Sequence, residues 1–270
     1  MAILSISSEY GTGALEIGHA IERLLGYRYV PLRTFFDEAA QSRPWEHMRD
    51  QYADAAPGFW EGSDVLGFLA LIQSKILDHA AQDNVIIMAR GGSYLLRGIP
   101  HALMIRIVAP LEYRIATIMK KEKVNHETAR LLVKQADREI DCTVQQAYGR
   151  DWDDPEAYEI KFDTSRQGSD EIVEIVKNLL EAKDKLKTPQ ALELLERRRV
   201  AAKIKAKVLT HPEVIQPSLE MDTREDRILI RGVVRTRAAR KKIENEAREI
   251  AGDIALDFKL DVPTIKQKPV

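Results

Sequence analysis

Ile3-Leu4-Ser5-Ile6-Ser7-Ser8-Glu9-Tyr10-Gly11-Thr12-Gly13-Ala14-Leu15-Glu16-Ile17 takes the chain from a short apolar strand through two glycines into the first turn of a helix. That helix continues through Ala20, Ile21, Leu24 and Leu25, a spacing that turns one apolar face toward a core. A strand that runs through glycines into a helix leaves several backbone N–H groups unpaired at the positive end of the helix dipole. Such a place suits a phosphate. A full phosphate-loop motif reads G-x-x-x-x-G-K-[ST], with the Lys on the β/γ-phosphates and the hydroxyl on magnesium. Here Ala14 and Leu15 follow Gly13, so the loop offers backbone donors without that cation or hydroxyl, and Thr12 and Ser8 supply hydroxyls from other positions. A glycine turn alone needs no ligand, and the segments that follow decide the reading.

Those segments repeat the alternation of apolar strand and amphipathic helix. Val65, Leu66, Leu69, Ile72, Ile76 and Leu77 share one side of a helix over residues 64 to 81, opened by Ser63-Asp64 as an N-cap. Val85-Ile86-Ile87-Met88-Ala89 and Leu103-Met104-Ile105-Arg106-Ile107-Val108 are near-continuous apolar runs, as expected of parallel strands covered on both faces. With helices near 110 to 121 and 169 to 181 and a further strand over Glu159 to Phe162, the prediction is a layered α/β domain with a parallel sheet flanked by helices. Residues 42 to 62, with Pro44, Trp45, Pro57, Gly58 and Trp60, read as an excursion off the sheet. Residues 125 to 154 read as charged helices ending in Asp151-Trp152-Asp153-Asp154-Pro155; they form either a lid or solvated helical hairpins.

After Leu180 the character changes. Residues 183 to 199 read as a charged helical linker, within a helix over 189 to 207 that carries Arg197-Arg198-Arg199, Lys203, Lys205 and Lys207. No aromatic residues interleave with this basic run, so it reads as a solvated face and not as a nucleic-acid contact. Residues 200 to 264 then give a helix followed by a ββαβ unit, a second, small α+β domain, with 265 to 270 as a tail.

Composition bounds the function. Of 270 residues, 44% are hydrophobic and 31% charged, and the net charge is −1, which offers no general attraction to nucleic acid or an anionic membrane. The start carries no basic segment followed by a long apolar one, and no run of apolar residues is long enough to cross a bilayer, so a cytoplasmic protein without stable membrane insertion is expected. The single cysteine, Cys142, allows no internal disulfide, and the six histidines lack ligand spacing, so no metal site is expected from protein ligands.

The order of these landmarks resembles the cytidylate kinase-like proteins, a branch of the P-loop nucleoside monophosphate kinases whose opening typically reads I-S-R-x-[FY]-G-S-G-G-x-x-I-A. The matching stretch is Ile6-Ser7-Ser8-Glu9-Tyr10-Gly11-Thr12-Gly13-Ala14-Leu15-Glu16-Ile17. The branch generally lacks the loop lysine. Val85 to Gly91 looks like the family strand ending in G-R-G, with Arg90 in the position that helps hold the monophosphate. Asp137-Arg138, Tyr148-Gly149, Trp152 to Pro155, Tyr158 and Asp163-Thr164-Ser165 resemble the lid and the final strand. The similarity covers residues 1 to 182. Ser8, Ala14, Leu15 and Asp141 depart from it: Ser8, Leu15 and Asp141 stand where arginines are common or expected, so positive charge is lost from where phosphates would sit, and Ala14 stands where Gly is common. Residues 200 to 264 resemble a BON domain, with Gly232 at a tight or bulged strand position where a side chain would not fit.

The resemblance implies a P-loop kinase-like fold and ATP-dependent phosphorylation of CMP or a related nucleoside monophosphate, with Mg2+ as counter-charge. Ser8, Gly11, Thr12 and Gly13 would hold the donor phosphates. Arg90 would hold the acceptor, and Arg114, Arg130 and Arg138 would be lid residues closing over the transferring group. The alternative is a catalytically impaired nucleotide-binding sensor whose BON-like domain binds a ligand or self-associates into a homo-oligomer.

Overall fold

The computed structural model describes residues 2–41, 63–214, 218–224 and 226–263. The excursion over 42 to 62, the Ser63-Asp64 cap side chains, Pro217 and the tail lie outside the described residues. In chain order the elements are β1 (Ile3–Ser8), α1 (Ala14–Leu25), β2 (Arg28–Pro31), α2 (Leu32–Ala40), α3 (Ser63–Ala80), β3 (Val85–Met88), α4 (Gly92–Leu96), β4 (Ala102–Val108), α5 (Leu111–Glu122) and α6 (His126–Tyr148). A 3-10 turn (Pro155–Ala157), β5 (Ile160–Asp163), α7 (Ser169–Asp184), α8 (Pro189–Leu209), β6 (Ser218–Thr223), β7 (Arg227–Val233), α9 (Arg237–Ala251) and β8 (Ala255–Asp261) complete the chain.

The first five strands form one sheet in the order β2-β3-β1-β4-β5, parallel throughout. β1, β3 and β4 are buried along almost their whole length, which is why their sequences do not alternate. One face of the sheet packs on α2, α3 and α8 through Phe35, Phe68, Ile76, Ile87 and Leu195. The other packs on α1 and α7 through Ile17, Ile21, Ile105, Ile172 and Val176. Because the chain first builds the β3 side of β1 and then the β4 side, the strand order reverses beside the C-terminal end of β1. In open α/β sheets that is where ligands bind.

The second sheet, β6-β7-β8, pairs antiparallel and then parallel, and closes with α9 over Ile228, Ile230, Ile243, Ala247 and Leu260. The α+β unit expected at the C-terminus is present. The segment expected as a linker, 183 to 199, comprises the end of α7, a short turn and the first half of α8. Thr188 caps α8 by accepting from Ala191 N–H at 3.2 Å, with Pro189 beginning the helix. Leu195 then enters the core of the large sheet, while Val200, Ala201, Ile204 and Val208 enter that of the small one. One helix therefore serves both units.

Several elements differ from expectation, among them α2, a helix that the sequence reading did not anticipate. β2 is a strand that no apolar run announces, since only Val30 of its four residues is buried; it lies at the sheet edge, where the terminal Pro31 is tolerated. The α4 turn after Gly91 was also not anticipated. The charged helices over 125 to 154 are one long helix, α6, capped by Asn125 accepting from Thr128 N–H at 2.9 Å and followed by the short turn. With α5 it forms a hairpin held by Ile115, Ile118, Ala129 and Val133.

Candidate functional site

Gly11 and Gly13 have φ of +89° and +78°, a left-handed conformation that side chains disfavour. Gly11 also has no room for one, since a Cβ there would lie 2.9 Å from the Arg114 carbonyl oxygen. Gly13 is the N-cap of α1 and offers no side-chain acceptor to the first helical N–H groups. Thr12 is buried, and its hydroxyl donates to the Glu9 carbonyl at 2.9 Å, so it braces the loop from within.

Beneath the glycines lies a charge network. The Glu9 carboxylate accepts from Ala109 N–H at 3.1 Å and stands 3.2 Å from Arg114 Nε. Arg114 Nη1 donates to Asp137 Oδ2 at 2.7 Å and to the Tyr10 carbonyl at 3.3 Å, and its Nε donates to the Ala109 carbonyl at 3.0 Å. Asp137 Oδ1 in turn accepts from Tyr10 N–H at 3.2 Å. The α5–α6 hairpin is thereby tied to the glycine loop. Arg114 is 6% exposed, so removing it would leave two carboxylates facing each other with little water to compensate.

Arg90 follows the C-terminal end of β3. Its Nη1 donates to Thr143 Oγ1 at 3.1 Å, and its Nη2 lies 3.6 Å from Glu139 Oε2, both on α6. Burial draws its pKa down, and Glu139 opposes that shift. A cavity of about 310 Å³ opens between β1, β3 and α6, lined by Ser8, Tyr10, Met88, Arg90, Ala136 and Ile140 among others. It is large enough for a nucleotide base or sugar phosphate and has a cation at its wall. Beside Arg90, Gly91 has φ +79° and caps α4; a Cβ on it would fall 2.0 Å from Cε2 of Tyr148. The Tyr148 hydroxyl donates to the Arg90 carbonyl at 3.4 Å, and burial raises its pKa well above the ordinary tyrosine value.

The structure brings Ser8 and Arg90 to one cavity; Gly11, Thr12 and Gly13 follow Tyr10 of its lining in the chain and do not line it themselves. Arg114 lies under the loop with its guanidinium engaged by the protein. Arg130 and Arg138 are exposed on α6 and do not line the cavity; among the described residues neither makes a hydrogen bond or ion pair.

Arg106 on β4 was not singled out from the sequence. It is 1% exposed and stacks 4.1 Å from the Trp152 ring centre. It donates to the Trp152 carbonyl at 2.8 Å and pairs with Asp153. Trp152 Nε1 and the Tyr158 hydroxyl both donate to Ser7 Oγ, at 2.9 and 3.2 Å. This knot holds the Asp151-to-Pro155 segment against the end of β1. A lone arginine inside an apolar strand run was the available signal, because a buried guanidinium requires partners.

A family model described as "Cytidylate kinase-like family" matches residues 3–166. The cytidylate kinase of Methanocaldococcus jannaschii is 27% identical over 184 residues, 66% of this chain and 97% of that protein. The cytidylate kinase of Methanopyrus kandleri is 24% identical over 183 residues, 65% of this chain and 91% of that protein. Among solved structures, an uncharacterized protein from Eubacterium ventriosum superposes with a TM-score of 0.53 at 14% identity, covering 67% of this chain and 98% of that one, which speaks to the fold. No helix among the described residues is long and apolar enough to cross a membrane. Strand order, glycine loop and the match over most of the large unit agree: this chain belongs to the cytidylate kinase-like family.

Proposed function

We propose that the protein is a nucleoside monophosphate kinase-like phosphotransferase that moves the γ-phosphoryl group of ATP to CMP or a related monophosphate. The observation that carries this reading is that Arg90 lines one cavity with Ser8 and Tyr10, the residues that lead into the glycine loop, at the reversal point of the parallel sheet. The acceptor's phosphate lies against Arg90, which Glu139 and Thr143 hold in place before any ligand arrives. An oxygen of that phosphate attacks the γ-phosphorus, the bond to the β,γ-bridging oxygen breaks, and ADP leaves. The names of the archaeal relatives favour cytidylate as the acceptor.

For the donor phosphates, the positive-φ glycines and the uncapped start of α1 fit backbone contacts to anionic oxygens. Ser8 adds a hydroxyl at the cavity wall. Thr12 already donates inward, and no lysine follows Gly13. Magnesium belongs to this reading as counter-charge carried by the nucleotide: among the described residues no three His, Cys, Asp or Glu side chains converge on a point. Arg114 acts as a positioning residue, joining the loop to the hairpin that carries Arg130 and Arg138. Those two reach the transferring group only when the hairpin closes.

A specific observation favours a second reading, a nucleotide-binding sensor. The Glu9–Arg114–Asp137 network satisfies the loop from within, and Lys121 lies 3.6 Å from Glu16 in the first turn of α1. Phosphoryl transfer depends on positive charge around the equatorial oxygens, so a loop whose cations are spent in this way turns over slowly. For the C-terminal unit the reading is a BON-like module that binds a ligand or self-associates; sedimentation of the full chain tests the latter, and a monomer at every concentration removes it.

The deciding experiment is transfer of labelled γ-phosphate from magnesium ATP to a panel of nucleoside monophosphates, with Arg90→Ala as control and binding of CMP measured in parallel. Turnover of CMP or dCMP that the variant loses establishes the kinase. CMP binding without turnover at high enzyme concentration establishes the sensor, and CMP affinity unchanged in Arg90→Ala overturns the placement of the acceptor.

A further inference from the structure

The cleft between the two units holds cations that neither reading uses. α8 passes through it, and Arg198 and Lys205, seven residues apart, lie two turns from one another on the same face. Around them a cavity of about 330 Å³ is walled by Tyr94, Tyr148, Ala201, Met221 and Thr223 among others. A second lobe of about 220 Å³ shares Gln73, Ala147 and Lys205 with it and continues over Leu66, Leu69, Leu209 and Leu219. Lys205 therefore lines both lobes, the second of which carries the four leucines.

Lys205 makes no hydrogen bond or ion pair among the described residues, although burial draws its pKa below the ordinary lysine value, an effect that Glu220 opposes. Arg198 uses Nη1 on the carbonyls of Leu95 and Arg97, at 3.0 and 2.5 Å, and no carboxylate among the described residues forms an ion pair with it. Burial lowers its pKa also, against the pull of Asp222. The carboxylates on β6 that oppose these cations have partners of their own: Glu220 accepts from Arg231 Nε at 2.7 Å, and Asp222 lies 4.0 Å from Arg224 Nε. A partly buried cation that faces a cavity with no carboxylate in contact is free to pair with an anion supplied by a ligand.

We propose that this cleft is a binding site for a small organic anion with a short apolar chain, its head held by Lys205 with Arg198 behind it and its chain laid over Leu69 and Leu219. The site is separate from the Arg90 cavity and does not depend on the kinase or sensor reading.

Titration calorimetry on the full chain tests it, with hexanoate and hexyl phosphate as probes and hexanol as the uncharged control. Either anion is expected to bind at one site in the millimolar range or tighter, and the tighter one identifies the head group. Lys205→Met removes the charge and keeps the stem, and its affinity should fall at least about ten-fold, the loss of one charge-assisted hydrogen bond. Lys205→Arg should retain binding, and Arg90→Ala should leave it unchanged. The proposal is overturned by equal binding of hexanol, by affinity that survives Lys205→Met, by loss of binding in Arg90→Ala, or by no binding of either anion.

Discussion

Replacing Gly91 with alanine tests the link between the backbone at Arg90 and the long helix α6. The substitution has two separable costs. The backbone there has φ +79°, a left-handed conformation that costs a side chain roughly 1–2 kcal/mol. The new methyl would also lie 2.0 Å from Cε2 and 2.7 Å from Cδ2 and Cζ of Tyr148, so the ring has to move, an overpacking cost of roughly 1–3 kcal/mol. Together they come to about 3 kcal/mol, a fall in melting temperature of roughly 6–12 °C for a chain of this size. The ring leaves its place beneath the Arg90 carbonyl, so CMP affinity should weaken in the same variant. The assay is thermal melting followed by circular dichroism, for Gly91→Ala alone and in a Tyr148→Ala background. Without the ring only the backbone strain of about 1–2 kcal/mol should persist. If the full loss persists in the Tyr148→Ala background, or Gly91→Ala melts with the parent protein, the contact does not constrain this position and the reasoning fails.

Gly232 is the corresponding position in the small sheet: at φ +155°, a Cβ would meet the Ser218 carbonyl oxygen at 1.8 Å, so Gly232→Ala must part β6 from β7. Hydrogen exchange should show faster exchange of the amides between residues 218 and 233, with β1 and β4 unchanged; equal protection in the variant would refute this. His101 has 0% exposure, and neither ring nitrogen has a hydrogen-bond partner. Burial holds its pKa below the ordinary 6.5, with Asp83 pulling the other way. The unfolded chain therefore takes up this proton first. The His101 contribution to stability is complete above pH 6.5 and is lost as pH falls from there toward the folded pKa, at up to about 1.4 kcal/mol per pH unit. His101→Gln should flatten denaturant-derived stability over that window relative to the parent protein; parallel curves would assign the pH dependence elsewhere.

Each part that could be read from the chain was written in neighbouring residues. The apolar runs at β1, β3 and β4, the glycines before α1, the facing residues of α3 and the helix with ββαβ at the C-terminus are local signals, and each element formed where its period placed it, although Leu66, expected on the buried side of α3, is 52% exposed. β2 escaped because an edge strand of four residues buries only one side chain, too little for a pattern. The glycine loop and Arg90 were legible through their motifs, whereas their partners were not. Arg114 and Tyr10 are separated by 104 residues, Arg90 and Thr143 by 53, and Arg106 and Trp152 by 46, and no local periodicity records such distances.

By itself, the amino-acid order determined which segments are strands or helices, which faces are apolar, and that a glycine turn precedes α1. It did so because hydrophobic burial and backbone conformation act over one or two turns. Tertiary structure alone decided that Arg114 serves the loop from below and is spent on two carboxylates, that Arg130 and Arg138 face water, and that α8 joins two cores with Lys205 left unpaired between them. Whether a charged side chain is free to meet a ligand depends on what the fold brings against it from far along the chain, and a cation that reads the same in sequence ends paired, solvated or waiting according to that closure.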